Sequence, residues 1–288
     1  MILGLQETHG TVAELKDFLF HLHLPVEAFA SFLREPEELA EGEHAAGGVV
    51  TFLPLFSSTH CEDRRPQVTP LTIVKGRVLN VRVLFPCGVR VSHYNIHNHG
   101  LSVDDRKKVI DKISEDIDIA SQDPLKAFVF VGGDFNFADE PPQALNALGP
   151  PPPEQTSSAT RSMGHWKLAL KKMVEIETPQ HTHHCKARGT VSKIDRLFLS
   201  APGWCITQMC SGARVHGYPE VLNATKVSDH AGVSATFSPR KAARPQDRGI
   251  HQDVFRRPEY QQYLEKVTAI AEADDLSPPL LLSFHKKI

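Results

Sequence analysis

Residues 127–136 read AFVFVGGDFN. From Phe128 to Gly132 the run is apolar at alternating positions on both sides, as in a strand covered on both faces. Two glycines end it, and Asp134 and Asn136 then project from the strand end. A doubly covered strand belongs in the middle of a sheet, with further layers on either side.

The sequence on both sides supplies those layers. Residues 102–122 predict an amphipathic helix. Val109, Ile110, Ile113, Ile117 and Ala120 fall on one face, and Asp104 and Asp105 sit in its first turn. Residues 78–85 and 89–97 flank a Pro86–Cys87–Gly88 turn and predict a hairpin. Residues 47–54 and 2–6 read as strands. Residues 11–22 read as a helix with Thr11 as N-cap and Glu14 three residues on. Downstream, residues 139–160 predict a long loop, because Pro150 to Pro153 cannot lie inside a helix. Residues 166–176 predict a helix, and residues 179–185, 193–200 and 232–237 predict strands. After residue 239 the texture changes. Residues 240–249 are basic without periodicity, and residues 258–273 predict a helix. The expectation is one α/β domain over 1–239, followed by a basic linker and helical tail over 240–288.

The chain has 288 residues, 41% hydrophobic and 23% charged, which is enough apolar material for a sizeable core. Its five cysteines are odd in number and form no CxxC pair, so neither a disulfide framework nor a zinc ribbon is expected. His181, His183, His184 and Cys185 are close in sequence, but strand neighbours point to opposite faces and cannot all converge on a metal. The start MILGLQETHG is no signal peptide, and no apolar run has the length of a membrane helix. Cytoplasm and nucleus both remain open. The net charge of −2 does not mark a nucleic-acid binder. Basic residues do accumulate in the second half, in residues 161–196 and 240–257, and this suits a phosphate backbone or a solvated face.

Five polar clusters stand where strands should end: LQET at 5–8, NIHN at 95–98, GDFN at 133–136, SKID at 192–195 and SDH at 228–230. Carboxylates, amides and imidazoles around one mouth suit hydrolysis. A hard carboxylate such as Glu7 suits Mg²⁺. Asp134 can orient or deprotonate water, or it can simply cap a turn. Asn136 can donate to a phosphoryl oxygen. Asp195 behind His230 fixes a tautomer or holds positive charge.

In this order, LQET, NxHN, GDFN, SKIDR and SDH resemble the endonuclease/exonuclease/phosphatase superfamily over roughly residues 1–239. Within it the chain is most similar to the endonuclease domain of a LINE-type retrotransposon. The resemblance implies a four-layer α/β/β/α sandwich of two packed mixed sheets flanked by helices. It implies hydrolysis of DNA phosphodiester bonds with Mg²⁺ or Mn²⁺, and a nuclear location if active. Glu7 and Asp229 then look like metal ligands. Asp134, Asn136, Asp195, His230 and His97 look catalytic, with His97 contacting the phosphate. Asn95, Asn98, Thr182, Ser192 and Ser228 look like substrate contacts. The family opens on a strand ending in a metal-binding Asn. Here that strand is expected to be missing, as in a truncated frame, with an unpaired edge in its place. The tail resembles a linker towards a reverse transcriptase. Two other readings stay open. One is a phosphatase, or a nuclease for RNA or abasic sites, on the same fold. The other is an inactive nucleic-acid-binding remnant.

Overall fold

The computed structural model describes residues 2–8, 17, 21, 26–33, 47–54, 65–124, 126–139, 142–144, 157–201, 210–226 and 228–237. The expected helix over 11–22, apart from residues 17 and 21, lies outside the described residues, as does the tail over 240–288. In chain order the strands are β1 (Leu3–Gln6), β2 (Val26–Ser31), β3 (Val49–Pro54), β4 (Gln67–Val74), β5 (Val78–Leu84), β6 (Arg90–His97), β7 (Ala127–Asp134), β8 (Gln143–Ala144), β9 (Val174–Glu175), β10 (His183–Cys185), β11 (Thr190–Ser192), β12 (Asp195–Ser200), β13 (Cys210–His216) and β14 (Gly232–Phe237). The helices are α1 (Val103–Gln122), α2 (Ser157–Leu170) and α3 (Pro219–Ala224).

Six strands form a mixed sheet in the order β4-β5-β6-β7-β12-β9. Its parallel pair is β6 with β7, and a parallel pair needs a crossover, which α1 provides. Ser102 starts α1 through a capping box. Its hydroxyl accepts from the Asp105 amide at 3.0 Å, while Asp105 accepts from the Ser102 amide at 3.3 Å. Val109, Ile113, Ile117 and Ala120 then face the sheet and pack with Tyr94, Ile96, Val129, Val131 and Phe198. Each such aliphatic side chain contributes roughly 1.5–3 kcal/mol on burial.

A second sheet, β1-β3-β2, covers the other face. Alternation along β5 serves both layers. Leu79, Val81 and Val83 meet Val49 and Leu53 of β3, while Asn80 and Arg82 reach Asp116 on α1. This smaller sheet is wholly antiparallel among the described residues, where a mixed one was expected, and β1 lies at its edge. Two antiparallel ribbons, β10-β11-β8 and β13-β14, complete the described strands. The protein is thus a mixed α/β fold of helix, six-stranded sheet and three-stranded sheet.

Some local expectations are corrected. α2 already begins at Ser157 and ends at Leu170. A turn closed by Met173 N–H on the Leu170 carbonyl at 2.8 Å frees residues 174–175 to pair with β12. The strands β2, β4 and β13 were not anticipated, since each has weak alternation. β4, for example, carries Pro70 in mid-run and exposes most of its residues, as an edge strand can.

Candidate active site

Register builds the site. β7 lies between β6 and β12, and the pairing sets His97 opposite Asp134 and Asp134 opposite Asp195. Residues opposed across adjacent strands project from the same face, about 5 Å apart. His97, Asp134 and Asp195 therefore form a row at one end of three neighbouring strands. Gly133 makes the row possible. Its φ is +138°, and a Cβ there would lie 2.0 Å from the Ile96 carbonyl oxygen. Gly133 thus reflects close approach of two backbones, while Gly132 leaves room for the Leu197 side chain, which a Cβ would meet at 2.8 Å.

Glu7 arrives from the other sheet. Gly4 lets β1 cross close to β6, since a Cβ on it would stand 3.1 Å from the Asn95 amide. Asn95 ties the two sheets together, donating to the carbonyls of Leu5 at 3.1 Å and Val50 at 2.9 Å and accepting from Gln6. Glu7, just past β1 with φ +51°, then places a carboxylate oxygen 3.1 Å from His97 Nε2. Arg77 donates to His97 Nδ1 at 2.7 Å. A guanidinium only donates, so Nδ1 accepts and the ring proton sits on Nε2, facing Glu7.

On the far side of the row, His230 Nδ1 stands 3.0 and 3.1 Å from the two Asp195 oxygens. The His230 amide donates to Ser228 Oγ at 3.0 Å, which fixes the turn entering β14. Asn136 has φ +55°, is exposed, and donates its backbone N–H to Asp134 Oδ1 at 2.7 Å. A left-handed non-glycine residue is uncommon and concentrates at functional sites, and Glu7 and Asn136 are two of three among the described residues.

Electrostatics follow from this packing. Burial first, then the charge of Asp195 and a smaller push from Glu7, raise the Asp134 carboxyl from 3.8 to about 7, against opposing pulls from His230 and the Asn136 amide. Burial alone would lower His230. The hydrogen bond and charge of Asp195, with Asp134 and Asp229, outweigh it and raise the imidazole to about 9. Burial, with the charge of His230, lowers His183. The Glu7 and Asp195 carboxylates lie close enough to act on Asp134, a hard donor set that fits a divalent cation, and Glu7 could hold one.

Glu7, His97, Asp134, Asn136, Asp195, Ser228, Asp229 and His230 are brought together. Four candidates are placed otherwise than expected. Asn95 is fully buried between the sheets. Asn98 is buried too, its amide donating to the Phe135 carbonyl and accepting from Trp166 Nε1 at 3.0 Å. Thr182 is fully buried, and its hydroxyl accepts from the amides of Ile194 and Asp195 at 3.2 and 3.1 Å. These three side chains brace the strand ends instead of meeting solvent. His97 is 1% exposed, its ring closed off between Arg77 and Glu7, where contact with a phosphate was expected. Ser192 is half-buried, 3.3 Å from His183 Nδ1. Sequence reasoning missed Arg77, and it named His183 only within a segment whose side chains cannot all converge on a metal. Arg77 directly follows Gly76 in a turn, a weak signal. His183 could have been found by pairing residues 183 and 192 in register.

The model of the Endonuclease/Exonuclease/phosphatase family matches residues 2–230, and the chain belongs to that family. Members are typically metal-dependent hydrolases acting on phosphodiester bonds. No curated protein matches the chain. Among solved structures it is similar to the 3' phosphatase NExo from Neisseria bound to a product DNA hairpin, at 17% identity and TM-score 0.48, covering 82% of this chain and 88% of that one. It is likewise similar to D. rerio TDP2 with a single-strand DNA product, at 15% identity and TM-score 0.47, covering 82% and 85%. A family protein from Bacteroides vulgatus has the same identity and TM-score, covering 82% and 84%. No helix among the described residues is long and apolar enough to cross a membrane.

Proposed function

We propose that the chain hydrolyses phosphodiester bonds in DNA with Mg²⁺ or Mn²⁺, nicking a target duplex as a LINE-type retrotransposon endonuclease does. The observation that carries this is the in-register row His97–Asp134–Asp195, flanked by Glu7 on one side and His230 on the other. Asp134 orients the attacking water and accepts its proton. Its pKa, raised to about 7, makes the carboxylate a stronger base and suits that task near neutral pH. His230, kept cationic by Asp195, meets the charge that grows on the phosphoryl oxygens. The exposed Asn136 amide donates to the same oxygens. Glu7, oriented through Arg77 and His97, would hold the cation. Bound there, it would supply charge neutralisation at the phosphate. Lys186 and Arg188, exposed on the turn between β10 and β11, suit the DNA backbone. The SKID block with Thr182 upstream supports the retrotransposon subtype, and on this reading residues 240–288 serve as the linker towards a reverse transcriptase.

Supercoiled plasmid with Mg²⁺, with and without EDTA, tests the proposal. Nicking should depend on the cation and fall by roughly 10²-fold or more in Asp134→Ala and His230→Ala proteins. Undiminished nicking in either variant refutes the site. Phosphate release from inositol polyphosphates, with no nicking, refutes the DNA substrate.

A further inference from the structure

We propose that His183, Asp229 and His230 form a second cation site, selective for a borderline-soft dication of the Zn²⁺ type, whose occupation takes His230 out of hydrolysis. The binding half stands alone. The inhibitory half rests on the proposed nuclease role of His230.

The backbone fixes the pair of imidazoles. His183 and His230 face each other in an antiparallel bridge, closed by Ala231 N–H on the Thr182 carbonyl at 2.7 Å and His184 N–H on the Asp229 carbonyl at 2.8 Å. Opposed residues in such a bridge share one face. Their ring centroids are 4.7 Å apart, and Asp229 Oδ2 lies 3.9 Å from His183 Nε2. One ligand atom from each of the three residues falls within 4.8 Å of the others. A tetrahedral Zn²⁺ needs ligand atoms about 3.4 Å apart. Asp229 is 55% exposed and able to swing inward.

The partners behind the rings point the same way. His183 Nδ1 stands 3.3 Å from Ser192 Oγ, and His230 Nδ1 faces Asp195. Each ring is therefore held through Nδ1 and presents Nε2 to the cluster. A second partner on the outer nitrogen is what orients metal-bound histidines, a carboxylate behind the ring being common. Two imidazoles and one carboxylate favour Zn²⁺, with water as a fourth ligand, whereas Mg²⁺ prefers all-oxygen surroundings. The cation displaces the His230 proton to solvent, and Asp195 then steadies the bound ring as it steadied the imidazolium. Of the residues in the His-rich segment 181–185, strand alternation brings His183 to this point.

The full chain is titrated with Zn²⁺ by calorimetry in excess Mg²⁺, and with Co²⁺ by visible absorption. Wild type, His183→Ala and His183→Gln are compared, and the thermal midpoint of each is read with and without Zn²⁺. Wild type should bind one Zn²⁺, give a four-coordinate Co²⁺ band and gain thermal stability with Zn²⁺. Both variants should bind at least tenfold more weakly and lose the band, while keeping wild-type midpoints without metal. In Mg²⁺-supported nicking, the variants should match wild type without Zn²⁺ and need at least tenfold more Zn²⁺ for half-inhibition. Unchanged Zn²⁺ affinity in both variants overturns the site. Weakened Zn²⁺ affinity with unchanged inhibition overturns the inhibitory role. Tight Zn²⁺ binding lost in the variants, in a wild-type chain that nicks no DNA, upholds the site and sinks the nuclease reading instead.

Discussion

Replacing Asp134 by Asn should stabilise the metal-free protein at pH 8 while abolishing hydrolysis. Asp134 is 5% exposed, and burial with the nearby Asp195 and Glu7 charges moves its ionisation from 3.8 to about 7. Ionising it inside the fold then costs about 4 kcal/mol relative to the unfolded chain. The sign follows from the direction. Below 3.8 the group is neutral in both states and costs nothing. As pH climbs to 7 the unfolded chain releases the proton first, so stability falls, and above 7 the whole penalty applies. Asparagine keeps the volume and keeps an oxygen for the Asn136 N–H at 2.7 Å, without the charge. Removing the charge also deprives His230 of one attraction, which offsets part of the gain. The net gain should be about 1–3 kcal/mol at pH 8 and near zero at pH 3.5. Urea unfolding in EDTA, followed by the fluorescence of the buried Trp166 and by circular dichroism, measures it. Excess Mg²⁺ should narrow the gap, because a bound cation stabilises the wild-type carboxylate. A variant no more stable than wild type at pH 8, or one with the same gain at both pH values, refutes the electrostatic reasoning.

Asp195→Asn should return His230 towards its ordinary 6.5, so the alkaline limit of nicking should move down from about 9. The stability held by the raised imidazole is present below 6.5 and lost through 9, so this variant should be weakened at pH 6 and little changed at pH 10, as urea midpoints would show. Arg77→Ala should raise the Mg²⁺ concentration for half-maximal nicking by about tenfold, with kcat nearly unchanged at saturating Mg²⁺, whereas Arg77→Lys should recover part of that affinity. Equal Mg²⁺ curves for all three proteins would deny the Arg77–His97–Glu7 arrangement. Asp116→Ala should cost about 2–4 kcal/mol in chemical denaturation, because it strips buried Tyr94 and half-exposed Arg82 of a carboxylate 2.7 Å from each.

Sequence by itself determined the α/β class, the central strand β7, the helix α1 and its cap, the β5–β6 hairpin, and the polar clusters at the strand ends. These are local properties. Apolar period, glycine pairs and capping residues act over a few positions, so they can be read without neighbours. The ordered clusters named Glu7, Asp134, Asn136, Asp195 and His230 for the same reason, since a strand end throws its next side chains outward.

Tertiary structure alone decided which neighbours of those residues meet solvent. Asn95, Asn98 and Thr182 have the side chains of phosphate contacts, yet the close approach of β1 to β6 engages Asn95, Phe135 and Trp166 engage Asn98, and the amides of Ile194 and Asp195 engage Thr182. His97 is closed off from solvent, with Arg77, twenty residues away, reaching its Nδ1. His183 met His230 only through a bridge between segments 47 positions apart. Hydrogen-bond partners and burial arise from contacts between distant segments, and a local pattern carries no record of which distant atoms will arrive.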